Sequence, residues 1–222
     1  MKLTGKTHQF LGDVLPSDYR AEIFGLVDSA WQRVKLPRSS RLEPRITGLL
    51  QLKMIEEQES QYESDPPFDI REDVKIRDTT TGKEVERMDL GIWLRQRYIT
   101  GQRPYFVFES KKLNIERGGV PDSNVHEYLG EGGIGHLIAG GYQSERSRCG
   151  MLAYVMDGNV AKAKQAVEKQ LANKSETLQL HGETKIHAST LMPKGSPHGE
   201  THHTHAVEKF KIFHLFLSVS QK

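Results

Sequence analysis

Residues 105–114, "YFVFESKKLN", pass from apolar to charged within ten positions. Side chains alternate faces along a strand, so a strand here points Val107, Glu109 and Lys111 one way. Phe106, Phe108 and Ser110 point the other. One face reads as core packing; the other delivers a carboxylate and an ammonium side by side. An active site uses such a pair, and so does an exposed sheet face, so the flanking segments have to discriminate.

Working outward, "FDIREDVKIRD" alternates loosely as a strand, "TTTGKE" reads as a hairpin turn and "VERMDLGIWLRQRY" as the return strand. "ITGQRP" makes a further turn before the opening stretch. Upstream, residues 18–34 carry Ile23, Leu26, Val27, Ala30 and Val34 at helical spacing. A second helix is expected from Glu43 to about Glu59, with Pro44 in its first turn and Ile46, Leu49, Leu50 and Met54 as its apolar stripe.

Downstream, residues 118–142 are glycine-dense and read as a loop and then a short helix around 128–140. "CGMLAYVMDG" is a fourth strand, closed by a turn at Gly158-Asn159. "NVAKAKQAVEKQLANK" is a helix capped by Asn159, with Val160, Ala163, Val167 and Leu171 along one side. A polar, His-rich loop then leads to a last strand, "KFKIFHLFLSV". The pattern is α/β: a mixed central β-sheet flanked by helices. It fits one domain over residues 1–222, with a core at about 41–157, a helix at 18–34 before it, and a helix, His-rich loop and strand over 159–219.

The 36% hydrophobic and 27% charged fractions are those of a soluble globular chain of 222 residues. Lys and Arg number 31 against 29 Asp and Glu, so any phosphate-binding surface must come from local clustering rather than total charge. The single Cys149 excludes an intramolecular disulfide and a Cys-based zinc site, and it fits a reducing cytoplasm. The start, "MKLTGKTHQFLGDVLPSDYR", lacks the apolar core of a signal peptide. No apolar run approaches the roughly 20 residues that span a bilayer. A cytoplasmic protein without a membrane partner is expected.

Asp89 lies in "ERMDLGIWL", on the strand before Glu109. Neighbouring strands run about 5 Å apart, so Asp89 and Glu109 are expected to converge on one ion. Two carboxylates and a backbone carbonyl, that of Ser110, are hard oxygen ligands suited to Mg²⁺, with Mn²⁺ as a substitute. Lys111 would then orient or help deprotonate an attacking water, or neutralise charge on phosphorus.

"MDLGI" followed by "YFVFESK" resembles the core of the PD-(D/E)xK, or restriction-endonuclease-like, nuclease superfamily, over about residues 41–157 in αβββαβ order. The resemblance implies that Asp89 and Glu109 hold the metal and that Lys111 serves the nucleophilic water. Glu43, in "RLEPRITGLL", stands where members often add a helix carboxylate; Glu56 and Glu57 are rivals at the helix's far end. Two departures are visible. Met88 stands in place of the motif's proline, and the Gln- or Tyr-bearing later helix is echoed only by Tyr142 and Gln143. The implied activity is Mg²⁺-dependent hydrolysis of DNA in restriction or phage defence, by a homodimer or with a partner subunit. Lys112, Arg117, Arg103 and Tyr142 are the expected DNA contacts, with Arg95 and Arg97 in the same basic cluster. The plainer readings are a salt-bridged strand face, a helix-terminal acid for Glu43, and simple packing for Tyr142.

Two other functions fit parts of the sequence. One is a catalytically silent nucleic-acid-binding or assembly subunit of the same fold. The other is a zinc-dependent hydrolase built on the tail, which holds seven of the ten histidines: His181, His187, His198, His202, His203, His205 and His214. No HExxH motif supports the zinc reading, and a mobile polar loop explains the same residues. The glycines at 130–141 match neither the P-loop nor the dinucleotide fingerprint and read as tight packing or close approach to a duplex.

Overall fold

A computed structural model describes residues 19–36, 42–62, 66–77, 84–95, 105–139, 148–205 and 208–219. In chain order the elements are α1 (Arg20–Arg33), α2 (Glu43–Gln61), β1 (Phe68–Arg77), β2 (Glu84–Leu94), β3 (Phe106–Leu113), β4 (Ile115–Arg117), β5 (Val120–Asp122), α3 (Val125–Tyr128), α4 (Ile134–Ile138), β6 (Cys149–Val155), α5 (Val160–Asn173), β7 (Gly199–His205) and β8 (Glu208–Ser218). Six strands form a mixed sheet in the order β1-β2-β3-β6-β8-β7. β2 runs antiparallel to both β1 and β3. β3, β6 and β8 are mutually parallel, and β7 returns antiparallel on β8.

The fold follows from which strands can be dry on both faces. Every residue of β6, "CGMLAYV", is buried, as parallel central strands require. Leu152 and Tyr154 enter one core with Phe24 of α1, Leu50 and Met54 of α2, Phe106, Phe108 and Phe213. Met151, Ala153 and Val155 enter the other, with Val107, Tyr128 and the α5 residues Ala163, Val167 and Leu171. The two periodicities seen in the sequence, two for strands and 3.6 for helices, thus meet across the sheet. Ile23, Leu26, Val27 and Ala30 of α1 are buried as the spacing predicts. Each of the three larger side chains removed from water contributes about 1.5–3 kcal/mol. Asn159 caps α5 by accepting from Lys162 N at 3.0 Å, after Gly158 turns the chain at a φ of 75°.

Two segments differ from the sequence expectation. The glycine-dense stretch contains a two-stranded hairpin, β4–β5, joined by Gly118 and Gly119 at positive φ, and then two short helices rather than one. The end of the His-rich stretch is strand rather than loop: Gly199–His205 forms β7, paired with β8 from Gly199↔His214 to His205↔Glu208. No helix among the described residues is long and apolar enough to cross a membrane.

Candidate functional site

β2 and β3 pair only at Ile92↔Phe106, Gly91↔Val107 and Leu90↔Phe108, after which they part. β3 continues against β6 as far as Leu113↔Val155. The β3 amides facing the side that β2 has left still need acceptors, because a buried N–H without one is costly. Carboxylates supply them. Ser110 N donates to Asp89 Oδ2 at 2.7 Å, and Lys112 N donates to Glu43 Oε2 at 3.0 Å. Both acids therefore stand at the open edge of β3, one carried by β2 and the other by the first turn of α2.

Strict alternation would not bring Asp89 there. Met88 and Leu90, two apart on β2, pack in different cores, so the strand changes face at Asp89. Across the ladder, Glu72 pairs with Leu90 and Val74 with Met88, while Asp73 between them takes a φ of 46°. Asp is one of the few residues that visits this left-handed region routinely. Arg87 Nε holds the Asp73 carboxylate at 2.6 Å. A groove of about 440 Å³ between α2 and these strands has Thr47, Glu72, Asp73 and Asp89 in its wall.

Around the edge, Ser110 Oγ donates a second bond to Asp89 Oδ2 at 2.8 Å. Lys111 Nζ donates to the Ser110 carbonyl at 2.7 Å and approaches Glu43 Oε1 at 3.4 Å. Burial pushes the Glu43 carboxyl above its ordinary value; the Lys111 ammonium opposes that push and the nearby Asp89 charge adds to it. Glu109, paired with Met151, is 6% exposed on the strand position before Ser110. Gly132 faces Lys111: a Cβ there would lie 3.9 Å from Lys111 Cε, so part of the glycine-dense segment packs near the lysine.

The structure thus gathers Asp89, Ser110, Lys111 and Glu43, with Glu109 adjoining along β3. All the acceptors are hard oxygens, the donor chemistry that Mg²⁺ prefers. Among the described residues no three His, Cys, Asp or Glu side chains lie close enough to hold an ion between them. An ion at this edge would draw on a backbone carbonyl and retained water as well as carboxylate.

Of the other expected residues, Arg117 is exposed and tied within the hairpin, to Asp122 at 3.2 Å and Asn124 at 3.2 Å. Arg95 donates to the Phe68 carbonyl. Glu56 and Glu57 pair with Lys53 and Arg33 on the solvent side of α2, away from this edge. Arg97, Arg103, Tyr142 and Gln143 lie outside the described residues. Sequence reasoning missed Thr47, Ser110 Oγ and Asp73. Thr47 had a signal, standing one helical turn after Glu43 on the same face of α2; Asp73 had none.

The tail histidines have partners of their own. His203 uses Nδ1 on the Leu178 carbonyl and Nε2 on Thr201, and His214 uses Nε2 on Thr201 and Nδ1 on Tyr128. His198 Nδ1 accepts from Phe216 N while its Nε2 meets Asp28 at 2.7 Å. Both ring nitrogens of these three are thereby committed to protein groups. Comparison of the chain with protein-family models, with curated proteins and with solved structures finds no match.

Proposed function

We propose that the chain is a Mg²⁺-dependent deoxyribonuclease of the PD-(D/E)xK kind. The observation that carries this reading is the edge of β3, where Asp89 and Lys111 are joined through the two ends of one residue, Ser110, with Glu43 beside them. The order α2, β1, β2, β3, short helices, β6, with the β4–β5 hairpin inserted after β3, supports a reading as the αβββαβ core that the motif implies. In that core β2 is the strand antiparallel to its neighbours.

Mg²⁺, when bound, supplies Lewis-acid stabilisation of the phosphate and lowers the pKa of water. The residues that would hold it are Asp89 and Glu109, with the Ser110 carbonyl. Lys111 donates to that carbonyl, so its ammonium would stand beside a bound ion, within reach of the attacking water. Glu43 keeps Lys111 at the edge by accepting from Nζ and from the next backbone amide. Lys112 and the exposed Arg117 provide positive charge for the DNA backbone, whose contacts position rather than select.

The test is digestion of supercoiled plasmid with Mg²⁺ by the wild type, Asp89→Ala and Lys111→Ala, with folding followed by circular dichroism. The wild type should cut, and each variant should lose about 10²–10⁴-fold in rate while remaining folded. Binding without any metal-dependent cutting by the wild type would make the chain a silent subunit and end the proposal.

A further inference from the structure

The Asp89 carboxylate is the end of a hydrogen-bonded chain that runs back into the core beneath α2. Tyr154 OH lies 3.0 Å from Thr47 Oγ1, Thr47 Oγ1 lies 3.2 Å from Ser110 Oγ, and Ser110 Oγ lies 2.8 Å from Asp89 Oδ2. Tyr154, Thr47 and Ser110 are all buried.

Each hydroxyl has one proton, and this fixes the direction of the chain. An ionised carboxylate only accepts, so the Ser110 proton goes to Asp89. Ser110 Oγ must then accept from Thr47. Thr47 has one proton, shared between Ser110 Oγ at 3.2 Å and the Glu43 carbonyl one turn back at 3.1 Å, so Thr47 must itself accept from Tyr154. Burial drives the Tyr154 phenol well above its ordinary pKa, so it remains a donor. Every bond in the chain points toward Asp89.

The consequence for Asp89 is asymmetric. Oδ2 takes two bonds, from Ser110 N and Ser110 Oγ, while Oδ1 has no hydrogen-bond partner among the described residues. We infer that Tyr154, Thr47 and Ser110 are positioning residues, a one-way hydroxyl relay that locks the Asp89 carboxylate through Oδ2 and presents Oδ1 to a hard divalent cation. The inference rests on the nuclease reading of this edge and adds to it Thr47 and Tyr154, outside the motif, and the hydroxyl of Ser110. Partners behind a metal ligand fix its orientation, and their loss commonly weakens metal binding 10–100-fold.

Calorimetric titration with Mn²⁺ in the absence of DNA tests it, using wild type, Thr47→Val, Thr47→Ser, Tyr154→Phe and Asp89→Asn. Thr47→Val and Tyr154→Phe should raise the Mn²⁺ dissociation constant about tenfold. Thr47→Ser, which keeps the hydroxyl, should stay close to wild type, and Asp89→Asn should lose the site. Tyr154→Phe removes one oxygen from a ring stacked on Trp31 and decides the matter should Thr47→Val fail to fold. Unchanged affinity in Tyr154→Phe and in folded Thr47→Val overturns the relay while leaving the nuclease reading intact. A Thr47→Ser variant as weak as Thr47→Val also overturns it, since packing would then be the cause. A wild type that neither binds Mn²⁺ nor cuts DNA overturns the nuclease reading itself, and the relay's role with it.

Discussion

Asp73 decides where Asp89 points. Its φ of 46° falls between two paired positions, Glu72↔Leu90 and Val74↔Met88, and β2 changes face opposite it. Alternation read from the sequence put the carboxylates of Asp89 and Glu109 side by side. In the structure Asp89 reaches the backbone and hydroxyl of Ser110, the residue after Glu109, and nothing in "DIREDVKI" announces the interruption. The conformation is one that a β-branched residue resists. Asp73→Val should therefore cost about 1–3 kcal/mol in denaturant unfolding. Asp73→Gly should lose only the exposed pair with Arg87, about 0–1 kcal/mol. Because the kink aims Asp89, Asp73→Val should also weaken Mn²⁺ binding in calorimetry while Asp73→Gly does not. Equal behaviour of the two variants in both measurements would show that the backbone angle is irrelevant to the site.

At the scale of elements, the readable ones carried apolar residues at a regular spacing, along one side of each helix and on both faces of the inner strands β6 and β8. α1, α2, α5, β6 and β8 all lie within a few residues of where spacing and caps put them. The β4–β5 hairpin carried a signal that went unread, a Gly-Gly pair at the turn, where both central residues need positive φ. β7 carried none, because its buried side chains are polar. Thr201 and His203 are fully buried, as is His214 beside them, and hydrogen bonds rather than hydrophobicity keep them there. Burial keeps both rings neutral, each donating from one nitrogen. With neutral rings the directions follow: His203 donates to the Leu178 carbonyl and accepts from Thr201, Thr201 accepts from His214, and His214 accepts from Tyr128.

Burial lowers the pKa of His203 to about 4 and that of His214 to about 3. In the unfolded chain both titrate near 6.5, so between that pH and about 4 the unfolded state holds more protons than the folded one. Their contribution to stability is complete above pH 6.5 and is lost as the pH falls through the folded values. Each histidine adds a slope of up to ~1.4 kcal/mol per pH unit. Urea unfolding between pH 7.5 and 4.5 should show this decline. His214→Gln, whose amide can accept from Tyr128 and donate to Thr201, should remove about one proton from the slope. An unchanged slope would mean that these imidazoles do not stay neutral in the fold.

For the whole molecule, the sheet separates two cores, and the candidate site lies at the rim between them. One core, under α1 and α2, holds Phe108 and Tyr154; the other, under α5, holds Val107 and Met151. The open edge of β3 exists because β2 leaves to stay with β1 while β3 stays with β6. Asp89, Glu109, Lys111 and Glu43 all belong to one chain, so on the proposed nuclease reading one chain provides one site, which would cut one strand at a time. Cutting both strands of a duplex then needs a second copy or a partner subunit. On supercoiled plasmid with Mg²⁺, open circles should accumulate first at low protein concentration. The nicking rate should be first order in protein, and the linearisation rate should climb more steeply. Sedimentation at the same concentrations gives the species present. Linear product formed directly by monomeric chain, with no open-circle intermediate, would refute the one-strand, one-site arrangement. A nicking rate that itself rises with the square of concentration would place residues of a second copy within the site.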